Sequence, residues 1–427
     1  MTHALPSLRA MPAAERDPRP LLTRFVYAGF DIGVRALYRT DLLAPADFDL
    51  PPGTLVVSNH QRDSDVPILA VALDRSTGAG LRFAPLFFAS REDLLGPRFL
   101  AALAERWPRP LRALLGTIPL GWLFAAVRAK PMRRIREFTL REAARSLTEA
   151  GYAEVPCATL LNERGLREVG EHWGSRALCL VCEDRGAPLD AIWGLRRLKP
   201  ETRAALRAEF RATIARQLCE FAGLLDAGHC LYFAPEGATS EDGRFGRVRE
   251  GARGILRLAA RPHPVLPLAL SYDALAPGRL RVVVHVGALL TEIDPSRAET
   301  FADALRRSIT RLYPINASHL IARYLTKGPA RFATDDLAAW LERGRTTVVA
   351  AGYAPDPLLA HAEPRALAEE RLQWLRARGI VARESTNWHS AWPRRSPAGW
   401  RRPASVVRYL ANALADLAPE LDRTLGQ

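Results

Sequence analysis

The sequence predicts an α/β fold: a mixed sheet flanked by helices, with helical additions at both ends. Three observations carry that expectation. Four short apolar runs, "TLVVS", "CLYFA", "PVLPLALSY" and "LRVVVHVGALL", have the length and branching of buried strands. Around them lie stretches with apolar residues every three or four positions, the period of a helix packed on one face. The 427 residues, 48% hydrophobic and 25% charged, are enough for a large core and exclude bulk disorder.

Residues 1–45 are expected to form an amphipathic helical segment. Within it, "LLTRFVYAGFDIGVRALYRT" (21–40) sets Leu22, Phe25, Val26, Phe30, Val34 and Leu37 at helical spacing. That face either packs on the main domain or lies on a bilayer. The main domain is expected over residues 46–328. Its first strand, "TLVVS", ends at Asn59 and His60, and Pro67 opens the helix-like "VPILAVAL". "RFAPLFFASREDLLG" (82–96) reads as a strand followed by a helix start. The apolar run "ALLGTIPLGWLFAAV" (113–127) is broken by Gly116, Pro119 and Gly121, and is shorter than the roughly 18 residues of a spanning helix. It suits a buried segment or a shallow membrane insertion. The Arg-rich stretch after it (127–147) suits a peripheral membrane surface or a solvated helix face.

Residues 151–200 show no helical period and read as an insertion of short strands and turns. Cys179 and Cys182 are expected on one of those strands, facing opposite ways, which is poor geometry for a metal. A long helix follows, with Leu206, Phe210, Ile214, Leu218, Phe221 and Leu225 on one face and Gly228 as its stop. After "CLYFA" come a turn at Asp242-Gly243, a helix in "REGARGILRLAA" and the last two strands. Residues 329–427 read as a mainly helical extension. Near its end Trp388, Trp392 and Trp400 interleave with Arg394, Arg395, Arg401 and Arg402. That mixture suits a membrane interface, a phosphate-rich ligand or a capping loop.

The formal charge of +14 predicts attraction to a polyanion but does not choose among nucleic acid, anionic membrane and phosphorylated or acidic partners. Five cysteines in so long a chain do not make a disulfide framework, and a reducing, cytoplasmic setting follows. The opening residues have no long apolar core, so no secretory signal is expected. There is no G-x-S-x-G elbow, no G-x-x-x-x-G-K-[ST] loop and no G-x-G-x-x-G fingerprint. A serine-hydrolase elbow and the usual nucleotide sites are thereby unsupported.

The chemistry gathers where the first strand ends. A strand finishing at Asn59 delivers His60 to the rim of the sheet, where α/β proteins place their sites. Ser64 or Asp63 caps the next helix, which sets Asp65 at its N-terminus within reach of the imidazole. A carboxylate there fixes the histidine tautomer and leaves the other ring nitrogen as a general base. With no nucleophile motif in the chain, the natural proton source is a substrate hydroxyl.

A second stretch gives that pair a context. "SNHQRDSDVP", followed downstream by "LYFAPEGATSEDGRFGRVREGA" and "PVLPLAL", resembles the glycerolipid acyltransferase superfamily over roughly residues 50–290. Asn59, His60 and Asp65 match its first block, and Pro235, Glu236 and Gly237 its third. The resemblance implies that His60 deprotonates an acceptor hydroxyl while Asp65 holds the ring, and that Glu236 and Gly237 shape the acceptor site. It implies acyl-CoA or acyl carrier protein as donor and no further cofactor or metal. A lysophospholipid or glycerol phosphate would be the acceptor, and an anionic membrane at the cytoplasmic inner face, rather than nucleic acid, the partner surface. Two positions depart from the family. Trp122 stands where a phosphate-binding arginine is usual, with Arg128 a displaced candidate, and Thr239 stands where another arginine is frequent. Arg249, with Arg244 and Arg247, is the candidate replacement. A thioesterase and a non-catalytic lipid- or nucleic-acid-binding protein are the alternatives.

Overall fold

The computed structural model describes residues 21–45, 48–76, 86–91, 111, 127–133, 138–183, 192–240, 242–391 and 406–425. The apolar run at 113–126, Trp122, the helix start after residue 91, and Trp392, Trp400 and their neighbouring arginines lie outside the described residues.

A seven-stranded mixed sheet forms the centre, as the apolar runs predict. Its strands are β1 (Tyr38–Leu43), β2 (Leu55–Ser58), β3 (Leu86–Arg91), β4 (Ala129–Met132), β7 (Cys230–Phe233), β8 (Val265–Asp273) and β9 (Leu280–Val286). A short ribbon elsewhere supplies β5 (Phe138–Thr139) and β6 (Ile192–Trp193). The order in the main sheet is β1-β9-β8-β2-β7-β3-β4. Neighbours run parallel except β8 and β9, which are antiparallel. β2 sits near the middle, with Leu55 opposite both Leu231 and Val265. All four of its residues are fully buried, which is why Leu55–Val57 read as an unbroken apolar run rather than an alternating one.

Side-chain alternation along the strands divides the core into two layers. Val56, Tyr232, Leu268 and Leu270 face one way and pack with Ile68, Leu69 and Leu73 of helix α2 (Asp65–Ser76). Val34 of helix α1 (Leu21–Leu37) joins that layer. Leu55, Val57, Leu231 and Phe233 face the other way. They meet α3 (Pro200–Asp226), α4 (Glu250–Leu258) and α5 (Ala298–Leu312) through Phe221, Ile255 and Phe301. Each such fully buried side chain contributes on the order of 1.5–3 kcal/mol. α3 ends where Gly228 takes a left-handed turn, φ +84°.

Several elements differ from the sequence reading. The N-terminal segment is not helical throughout, because β1 follows α1 directly and pairs with β9. On the apolar face of α1, left open between packing and a bilayer, Val26 and Val34 are buried while Phe25 and Leu37 are 74% and 66% exposed. Residues 157–183 form four short helices rather than strands. The Cys179–Cys182 stretch is therefore helical, and the strand argument made for it does not apply. Each helix there is seven residues or fewer, too short for a period to register.

The C-terminal extension contains α6 (Ala317–Lys327), α7 (Thr334–Ala350), α8 (Pro364–Ala377) and α9 (Val406–Ala413). It also holds a small antiparallel sheet, β10 (Arg331–Phe332), β12 (Asn387–Ser390) and β11 (Val381–Glu384), absent from the helical reading. Trp388 is a core residue of that sheet, 3% exposed, and its indole N–H donates to Thr334 Oγ1. Two buried ion pairs fasten the extension to the main sheet. Arg371 meets Asp273 at 2.8 Å, and Arg281 forms a two-pronged pair with Asp356 at 2.5 and 2.6 Å. Among the described residues, no helix is long and apolar enough to cross a membrane.

Candidate active site

β2 and β7 are adjacent and parallel, so the chain leaves both at the same edge of the sheet. That topology brings the His60 and Glu236 stretches together. Asn59 prolongs the sheet by its side chain: its amide donates to Leu270 O at 2.9 Å and accepts from Leu270 N at 2.8 Å. Both polar groups of the Asn59 side chain are thus engaged by β8. The main chain of His60 is then held on two sides. Its N–H donates to Glu236 Oε1 at 2.8 Å, and its carbonyl accepts from Ser240 N–H at 2.9 Å.

His60 Nδ1 lies 2.9 Å from Asp65 Oδ2, as the spacing predicts. Asp65 is the first residue of α2 and has no exposed surface. Its Oδ2 also accepts the backbone N–H groups of Gln61, at 2.7 Å, and Arg62, at 3.0 Å. Its Oδ1 accepts the buried Tyr272 hydroxyl. A carboxylate surrounded by donors takes a proton from none of them and draws an N–H from the ring. Nδ1 therefore carries hydrogen, and Nε2 is left as a basic lone pair. Burial, and then the Asp65 charge, push the Tyr272 phenol well above its ordinary range, so it stays a donor.

Glu236 is 5% exposed. Besides the His60 N–H, it accepts Gly246 N–H on Oε2 at 2.6 Å. Burial raises its carboxyl to about 7, against the pull of those two bonds. The neighbouring glycines have steric reasons. Gly237 sits at φ +67°, and a Cβ on Gly246 would lie 2.9 Å from Glu236 Oε2.

The remaining sequence-derived residues are placed variously. Pro235 contributes its carbonyl to the N–H of Arg249, which caps α4. The Arg249 side chain runs over Gly237, where an added Cβ would meet Cδ at 3.1 Å. Arg128 lies beside β4 at the sheet edge, with its guanidinium over the Phe87 ring at 5.6 Å. The structure joins His60, Asp65, Asn59, Pro235, Glu236 and Gly237, with Arg249 alongside. Arg128 is not among the contacts of His60, Asp65 or Glu236.

Gln61, Ser240, Gly246 and Tyr272 were not singled out by the sequence. Tyr272 had a signal in its strand register, because it points to the same face as Leu270 two residues earlier. A cavity of about 280 Å³ opens beside the dyad, with Asn59, Gln61 and Glu236 in its wall. Among the described residues, no group of three or more His, Cys, Asp or Glu is placed to hold a metal ion. Nor does any described side-chain hydroxyl or thiol hydrogen-bond the His60 ring.

Fold and site together define an α/β protein with a histidine–carboxylate dyad at the exit of a central parallel strand. No protein-family model matches the chain, and no curated protein matches it. Among solved structures it is similar to the 1-acyl-sn-glycerophosphate (LPA) acyltransferase, PlsC, from Thermotoga maritima. That match has 12% identity and a TM-score of 0.34, over 70% of this chain and 82% of the other. A likeness so shallow decides nothing about this chain's activity.

Proposed function

We propose that the protein is an O-acyltransferase that moves an acyl group from a thioester to the hydroxyl of a lipid or lipid precursor. The observation that carries the reading is the dyad. His60 presents Nε2 with its tautomer held by Asp65, and no described protein nucleophile lies against it. The base therefore acts on a hydroxyl that comes with the substrate. Nε2 takes the hydroxyl proton while the oxygen attacks the thioester carbonyl. The C–S bond breaks, and the departing thiolate receives that proton from the imidazolium. One ester and one free thiol result. The two sequence blocks that resemble the glycerolipid acyltransferases meet through the His60–Glu236 hydrogen bond, which supports the same reading.

Acyl-CoA or acyl carrier protein is the donor in this reading, and a lysophospholipid or glycerol phosphate the acceptor. The protein works at the cytoplasmic face of an anionic membrane. The charge of +14 and the exposed Phe25, Ile32 and Leu37 of α1 support that placement. The test is transfer of a labelled acyl group from each donor to a panel of lysolipids and glycerol phosphates, with wild type beside His60→Ala. Acceptor-dependent ester, reduced about a hundredfold or more in the variant, is the expected result. Equal product from both proteins overturns the base role. Free fatty acid without acceptor dependence makes the protein a thioesterase, and no product from either leaves it a binding protein.

A further inference from the structure

The cavity beside the dyad is closed by the C-terminal extension. Gln61 and Glu236 form part of its wall on the sheet side, and Tyr353, Leu414 and Leu417 on the other. The His60 ring is not in the wall, so a molecule seated there lies beside the base rather than against it. At about 280 Å³ the space is near the lower limit for a ligand pocket and takes a compact group, not a whole lipid.

One wall residue has its hydrogen bonds fixed from a distance. Asn316 and His319 form a capping box at the start of α6, in which Asn316 N–H donates to His319 Nδ1 at 3.2 Å. A backbone N–H can only donate, so the proton of this ring sits on Nε2. His319 has no exposed surface, and burial lowers its basicity to about 4, which keeps the ring neutral. Nε2–H therefore donates to the Tyr313 oxygen at 2.9 Å. The Gln61 amide donates to the same oxygen at 2.8 Å. Tyr313 is 9% exposed and lines the cavity. With both lone pairs of its oxygen taken, its own proton is committed to neither neighbour.

We infer that the Tyr313 hydroxyl is a directed hydrogen-bond donor to an uncharged oxygen of the acceptor, a carbonyl, ether or hydroxyl, seated in this cavity. Both arginines of the cavity wall already face a carboxylate, Arg244 with Asp242 at 3.8 Å and Arg306 with Asp416 at 3.4 Å, which argues against a phosphate there. Arg306 gives Nη1 to the carbonyls of Phe245 and Gly246, and Nη2 to Asp416. Naming the occupant as the acceptor rests on the acyl-transfer reading. The donor role of Tyr313 rests on the hydrogen-bond network alone.

The experiment uses monoacylglycerol and 1-acyl lysophosphatidate, which share a glyceryl ester and differ by a phosphate. Calorimetric binding and steady-state transfer are measured on the full chain for wild type, Tyr313→Phe and Ala415→Trp. Ala415 is an exposed residue of the wall outside the Tyr313 network, so Ala415→Trp fills the cavity without altering that network. Tyr313→Phe is expected to raise the Kd and KM of both probes about tenfold, with the thioester KM within about twofold. Ala415→Trp weakens both probes as well. An unchanged Kd in Tyr313→Phe, a loss confined to the phosphorylated probe, a shift in the thioester KM instead, or no binding to wild type overturns the inference. Binding that responds to Tyr313→Phe without any acyl transfer upholds the cavity and overturns the acyltransferase reading.

Discussion

The main-chain N–H of His60 donates to the carboxyl of Glu236 at 2.8 Å, although 176 residues separate the two in sequence. The bond ties the loop that carries the base to the loop after the neighbouring strand. Neither loop can shift without leaving a buried carboxyl short of a partner. The precision of the dyad is thus set by backbone contacts as much as by Asp65.

Asp65→Asn should leave the fold intact and reduce acyl transfer by about 10³–10⁴-fold. An amide offers a single accepting oxygen to a site with three N–H groups and a phenol pointing in. The ring then loses the acceptor that holds hydrogen on Nδ1, the effect known from catalytic triads. Steady-state transfer beside an unchanged circular dichroism spectrum checks it.

Stability against pH should carry two opposed slopes. Glu236 is raised from 4.5 to about 7, so its native state holds a proton that the unfolded chain releases, and stability falls as pH rises through that window. His319 is lowered from 6.5 to about 4, so the unfolded chain takes a proton that the native state refuses, and stability falls as pH drops. Between pH 4.5 and 6.5 these largely cancel. Glu236→Gln should unmask a rise of about 2 kcal/mol with pH, and His319→Gln a fall of similar size. Urea unfolding at the two pH values measures both.

Arg371→Met should lower stability by about 3–5 kcal/mol, because it leaves Asp273 as an unmatched buried charge. Converting both residues to apolar ones should recover much of that loss. Denaturant midpoints of the single and double variants test the comparison.

Phe25→Ser with Ile32→Ser should weaken binding to anionic vesicles by about tenfold or more per residue, while leaving solution stability nearly unchanged. Both side chains are mostly exposed, at 74% and 68%, and contribute little to the core. Vesicle co-sedimentation across a salt series separates this apolar contribution from the electrostatic one.

The central strands, α3 and the His60–Asp65 pair were legible because each rests on local pattern. Leu55–Val57 is an unbroken apolar run, and five positions separate the two members of the dyad. What escaped depends on neighbours remote in sequence. The Tyr272 bond to Asp65 requires β8 to lie beside β2, and the Tyr313–Gln61 contact spans 252 residues. Which side chains of α1 are covered could not be read either, because Phe25, Phe30 and Ile32 are alike in composition and only the position of the sheet decides among them. The short helices of 157–183 carried too few turns to announce themselves.

β8 offers Leu270 to Asn59, Tyr272 to Asp65 and Asp273 to Arg371 within four consecutive residues. One strand therefore grips the C-terminal extension with one residue and steadies the base with the next. Severing the extension by limited proteolysis would wet Asp273 and Arg281 and let the end of that strand go slack. The phenol that braces Asp65 is the adjoining link, so such a cut should silence the chemistry without touching any residue that performs it.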